Sequence, residues 1–68
     1  MTVVLNGDRV ELPDGATLAT ALARIGADPN GAGIAVARNG AVVPRGAWAT
    51  TELADDDRVE VLGATQGG

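Results

Sequence analysis

At 68 residues, 46% hydrophobic but with Trp48 as its one aromatic, the chain reads as a single small aliphatic globule with little room for an internal substrate pocket. It contains no Cys and no His, which excludes thiol nucleophiles, imidazole catalysis, disulfides and the usual zinc sites, and no Lys on which an isopeptide bond could form. A net charge of −4 argues against nucleic acid and anionic membrane, and for a partner with a basic face.

Thr2-Val3-Val4-Leu5-Asn6 is β-branched and apolar and predicts a strand. The Asn6-Gly7-Asp8 cluster ends it with a tight-hairpin signal, and Arg9-Val10-Glu11-Leu12 alternates polar and apolar as a returning strand does. Val3, Leu5, Val10 and Leu12 share one face, so Val4 points to the other. Pro13-Asp14-Gly15 breaks the strand. Thr17 is placed to cap a helix, with Leu18, Leu22 and Ile25 as its apolar stripe and Ala19, Ala21 and Ala23 between them. Gly26 stands where a left-handed residue commonly ends a helix.

Residues 27–33 are rich in Gly, Asp, Asn and Pro and predict a loop. A third strand follows over 33–38 with Ile34 and Val36 on one face, then the Asn39-Gly40 hairpin signal. Ala41-Val42-Val43 is a fourth strand that Pro44 ends or marks as an edge. Arg45 to Thr51 predicts an irregular stretch with one turn around Trp48, whose indole lies on the body with its N–H on an acceptor. Asp55-Asp56-Asp57 reads as a solvated turn, because adjacent carboxylates lack the alternate spacing of a calcium loop. Arg58 to Leu62 is a fifth strand, with Val59 and Val61 inward and Leu62 on the opposite face.

The order is therefore β-β-α-β-β-β over residues 1–62, followed by a flexible segment over 63–68. No apolar run approaches the roughly 20 residues that cross a bilayer. The N-terminus lacks a basic region leading into a long apolar segment, so the expected location is the cytoplasm. No metal site and no catalytic residue is expected. The final Gly67-Gly68 offers a thin backbone that enters slots closed to side chains, ending in an ionised carboxylate.

Ala35-Val36-Ala37-Arg38-Asn39-Gly40-Ala41-Val42-Val43-Pro44-Arg45, then Trp48, an acidic turn, a last strand and Gly67-Gly68 resemble the ThiS-type sulfur carriers of thiamine biosynthesis. The opening Val3-Val4-Leu5-Asn6-Gly7 fits as well, so the resemblance covers essentially the whole chain. It implies an α+β, ubiquitin-like β-grasp fold: a mixed sheet of about five strands on one helix. It also implies that an E1-like adenylating enzyme of the ThiF type, using ATP and Mg, activates the Gly68 carboxylate. A sulfur donor such as a cysteine desulfurase then converts it to a thiocarboxylate, and a thiazole synthase of the ThiG type consumes the sulfur. The chain itself binds no cofactor in this reading. Thr65, Gln66 and Gly67 thread into the partner's site, and the six residues from Gly63 to Gly68 reach on the order of 20 Å. Docking is expected on the sheet face away from the helix, through Val4, Leu62 and Arg45. For Arg45 a structural salt bridge is the competing role, and Trp48 is expected in the core. Arg38 and the triple Asp depart from the family pattern, which has an apolar residue and Gly-Asp there. Related carriers for molybdopterin or cysteine biosynthesis, and a non-covalent β-grasp interaction domain, are the alternatives.

Overall fold

Two Asn-Gly dipeptides make two hairpins. In the computed structural model, which describes residues 1–27 and 33–63, Asn6 and Asn39 both have φ of 50°, and Gly7 and Gly40 have φ of 86° and 85°. Positive φ at both central positions matches the right-handed twist of the flanking strands, and Asn followed by Gly meets that requirement at least strain. β1 (Thr2–Leu5) thus returns as β2 (Asp8–Glu11), and β3 (Ile34–Arg38) as β4 (Ala41–Val43). The last strand, β5 (Arg58–Gly63), enters between the hairpins, giving a five-stranded sheet in the order β2-β1-β5-β3-β4. β5 runs parallel to β1 and antiparallel to β3. With one helix across it, this mixed sheet is the β-grasp architecture that the resemblance implied.

The helix, α1 (Leu18–Arg24), opens on Thr17, whose hydroxyl accepts from the Thr20 N–H. The N–H groups of Leu18 and Ala19, orphaned by the helix start, donate to the carbonyls of Thr51 and Trp48. The stretch from Trp48 to Leu53 therefore acts as a backbone cap for α1. At the other end Gly26 (φ 72°) donates to the Ala23 carbonyl and Ala27 to that of Leu22, a Schellman motif. This closes the helix one residue before Ile25, which is 44% exposed. The expected stripe is corrected accordingly: Leu18, Ala21 and Leu22 are the buried helical residues, and the capping turn carries Ile25 off the core.

Val3, Leu5, Val36 and Val59 bury on the helix side of the sheet, together with Leu12, Leu53 and Trp48. Trp48 follows a single 3-10 turn (Arg45–Ala47), and its indole N–H donates to the Val43 carbonyl at 2.8 Å. The ring is 5% exposed, so it belongs to the core, and its one polar atom is satisfied.

Candidate functional site

Alternation along the strands decides what the far face of the sheet presents. Val36 and Val61 pair on the core side, so Ala35 and Ala37 of β3 and Glu60 and Leu62 of β5 face away from α1. Leu62 stands opposite Ala35, and Val42 of the edge strand opposite Ala37. Leu62 is 69% and Val42 76% exposed. Two protruding aliphatic side chains thus flank a floor of two alanines, the apolar half of an otherwise charged face.

Val4 lies on that same face but in different company. It pairs with Arg9 on one side and Arg58 on the other and is half-buried. Four residues along β5, about 13 Å, separate its rung from Leu62. Arg45 lies two residues past Val43, which pairs with Val36. It is therefore near the end of β3 where Ala35 and Ile34 meet Leu62 and Gly63. The pairing register sets Val4 apart from Leu62. Gly63 is still in β5, one residue beyond the expected boundary of the body. Thr65, Gln66, Gly67 and Gly68 lie outside the described residues.

The start of β5 holds a surprise for the solvated-turn reading of the triple Asp. Asp55 and Asp56 are exposed, but Asp57 is only 6% exposed. Its carboxylate accepts from Arg38 Nε (2.9 Å), Asn39 Nδ2 (2.9 Å) and the Ala54 N–H (2.8 Å). Burial alone pushes this carboxyl up. The hydrogen bonds from Ala54, Asn39 and Arg38, with the guanidinium charge, outweigh burial and leave it below its ordinary value. The expectation of three equivalent solvated carboxylates is thus corrected at Asp57, because a partner 19 residues away in sequence neutralises it.

Two hollows lie among the described residues. One of about 320 Å³ lies on the outer face between the two Asn-Gly turns, lined by Val4, Gly7, Gly40, Arg58 and Glu60. The other, about 160 Å³ and apolar, lies between α1 and Trp48. Among the described residues, no three His, Cys, Asp or Glu side chains converge on a point that could hold a metal ion. No described helix is long and apolar enough to cross a membrane.

Comparison with known proteins gives this geometry its context. The model of the ThiS family matches residues 3–68. The chain belongs to the ThiS family. A crystal structure of the thiamine biosynthesis protein ThiS from Geobacter metallireducens is 26% identical and superposes with a TM-score of 0.80, covering 100% of both chains. A solution NMR structure of a thiamine biosynthesis protein from the same organism is 27% identical with a TM-score of 0.79, over 100% of this chain and 88% of that one. A search of curated proteins returns no significant match. Arg38, one of the expected departures from the family pattern, pairs with Asp57 of the acidic turn, which is the other.

Sequence reasoning overlooked Val42, Ala35 and Ala37 as an exposed patch. The signal was available, since burial of Val36 turns both alanines outward and the Asn39-Gly40 turn sets Val42 opposite Ala37.

Proposed function

We propose that the chain is a sulfur carrier of thiamine biosynthesis whose Gly68 carboxylate is the group modified. The observation that carries this reading is the family match, which runs through the Gly-Gly end to residue 68. In this reading a ThiF-type enzyme, holding ATP and Mg, guides the Gly68 carboxylate onto the α-phosphorus. A P–O bond forms and pyrophosphate leaves. The acyl-adenylate has in AMP a leaving group that a bare carboxylate lacks. A persulfide on a donor such as a cysteine desulfurase displaces AMP to give an acyl disulfide, and a thiol then cleaves the S–S bond, being oxidised to a disulfide as it releases the thiocarboxylate, which a ThiG-type thiazole synthase consumes. The reactive groups are assigned to the partners, consistent with a chain that has neither Cys nor His. The protein is thus a carrier and not an enzyme, working in the cytoplasm with its partners.

Reach supports the docking face. Five residues separate Gly63 from the end of Gly68, about 17 Å when extended. An enzyme that takes Gly68 into its active site therefore covers the end of the sheet around Gly63. Leu62, Val42, Ala35 and Ala37 lie there, with Arg45 at its margin. Val4, toward the far end, contributes least. Thr65, Gln66 and Gly67 pass through the enzyme's channel.

The test is intact mass after incubation with the adenylating enzyme, ATP and a sulfur donor. The expected product has one oxygen exchanged for sulfur at the C-terminus, and deletion of Gly68 abolishes it without unfolding the body. A wild-type chain that never makes the exchange overturns the reading.

A further inference from the structure

β5 carries the residues that lead to Gly68, and its hydrogen-bond partners differ at each rung. On the β1 side, Val4 N–H donates to the Asp57 carbonyl and Asn6 N–H to that of Val59. In a regular parallel ladder the next bond would run from Val61 N–H to the backbone carbonyl of Asn6. That carbonyl is not available, because Asn6 has already turned away with φ of 50°. The side chain supplies the acceptor instead: Val61 N–H donates to Asn6 Oδ1 at 2.8 Å. β1 itself pairs with β5 only at Val4–Arg58 and Leu5–Val59. The Asn6 amide therefore extends that flank of the ladder past the end of β1.

The other Asn-Gly turn repeats the device on the β3 side. Asn39 N–H donates to the Arg58 carbonyl at 2.7 Å. The β3–β5 register makes Asn39 and Arg58 the next pair, which would exchange both bonds. Asn39 also has φ of 50°, and Arg58 N–H donates to its Oδ1 at 2.8 Å. The two asparagines thus do the same job at opposite ends of β5. Asn39 fastens the start, and Asn6 fastens the end from which the chain leads to Gly68.

We propose that Asn6 is a positioning residue for delivery of the C-terminus: its side-chain carbonyl, by holding Val61, fixes Leu62 and Gly63 and so sets where the last five residues depart. This rests on the carrier reading given above. Without the bond, β5 is held beyond Val59 on the β3 side alone. Leu62 and Gly63, held by that one flank, then fray more readily from Ala35 and Ile34, and fraying of both adds two residues to the length between the held strand and Gly68. Effective concentration falls roughly as the −3/2 power of such a length, so lengthening from five residues to seven gives about a 1.7-fold loss, to which any loss of Leu62 from the docking face adds.

The experiment compares three variants of the full chain. Asn6→Gly keeps the turn, because glycine accepts the positive φ, but removes the acceptor. Asn6→Asp keeps an oxygen at the same place. Asn39→Gly removes the equivalent bond at the other end, together with the bond to Asp57, and is the control for general destabilisation. Amide hydrogen exchange of the free protein is expected to show about tenfold lost protection at Val61, Leu62 and Gly63 in Asn6→Gly, and wild-type protection in Asn6→Asp. With the adenylating enzyme and ATP, at a temperature where all variants are folded, kcat/KM falls about 1.7-fold or more in Asn6→Gly, recovers in Asn6→Asp, and changes less in Asn39→Gly. Unchanged exchange at Val61 in Asn6→Gly overturns the inference while leaving the carrier reading intact. An adenylation loss in Asn39→Gly equal to that in Asn6→Gly overturns it too, because the effect is then one of general stability. A wild-type chain that the enzyme leaves unmodified overturns the carrier reading and the delivery role together, whatever exchange shows.

Discussion

At its start β5 is fastened by a buried carboxylate with three donors and by an asparagine that accepts from the strand's first N–H. Four residues on, at Leu62, the same strand presents a side chain 69% exposed, beside two alanines and an exposed valine. Both ends have their backbone held by an asparagine, but one adds a buried ion pair while the other leaves apolar side chains in water. A carrier needs both. The body must be rigid for partners to recognise it, and the surface next to the departing C-terminus must be open for them to cover it. In this domain the division falls within a single strand of six residues.

The comparison breaks most readily at Asp57. Replacing it with Ala leaves Arg38, Asn39 Nδ2 and the Ala54 N–H without their acceptor. The expected loss is about 2–3 kcal/mol in urea unfolding, below the full cost of breaking a buried pair because Arg38 is itself about a third exposed. The same group sets an acid limit. Its folded pKa is lowered, so its contribution is fully present above the unfolded value of about 3.9 and is lost as pH falls through the folded value. Urea midpoints measured from neutral pH down to about 3 should fall more steeply in the wild type than in Asp57→Asn. Parallel curves would mean that Asp57 is as solvated as its two neighbours.

At the open end the expectation reverses. Leu62→Ser should leave stability within about 0.5 kcal/mol, since the side chain is mostly in water already. It should lower kcat/KM for adenylation about tenfold, as loss of a central apolar contact does. Val4→Thr on the same face, flanked by Arg9 and Arg58, should lower it less than threefold. Equal losses from the two would show that the enzyme covers the whole face, and the contrast drawn between its halves would be wrong.

Much of the fold was legible because its instructions are local. Asn6-Gly7 and Asn39-Gly40 specify their turns within two residues, Thr17 caps its helix within three, and alternation sends Leu62 outward. Most of what was illegible depended on distance along the chain. Asp55, Asp56 and Asp57 look alike until Arg38 arrives from β3. Ile25 is a local miss: Gly26 ends the helix as expected, and the Schellman turn onto Leu22 carries Ile25 off the stripe. The central place of β5 was not legible either, since no pattern within the strand distinguishes it from an edge. The proposed working end, Gly68, was read from its chemistry and lies outside the described residues. The proposed docking face was half legible: alternation placed Val4 and Leu62 on one side, but only the pairing register separates their neighbourhoods.

The smallest expected effect tests whether the closed end is as optimised as it looks. Asp56 has φ of 71°, a left-handed conformation that an L-residue with a Cβ takes at a cost and glycine takes freely. Its N–H donates to the Thr2 carbonyl at 2.7 Å, so the backbone there is held and cannot relax. Its exposed side chain offsets little of the strain. Asp56→Gly should therefore raise stability by about 0.5 kcal/mol, the relief of strain exceeding the added entropy of the unfolded chain. Adenylation should not change, because the turn lies at the start of β5 and the proposed modified residue follows its other end. A gain in unfolding midpoint with unaltered kcat/KM would show that stability of the fastened end and delivery from the open end are separable within one strand. A loss of stability would mean that the Asp56 carboxylate supports the acidic turn in some way beyond its backbone.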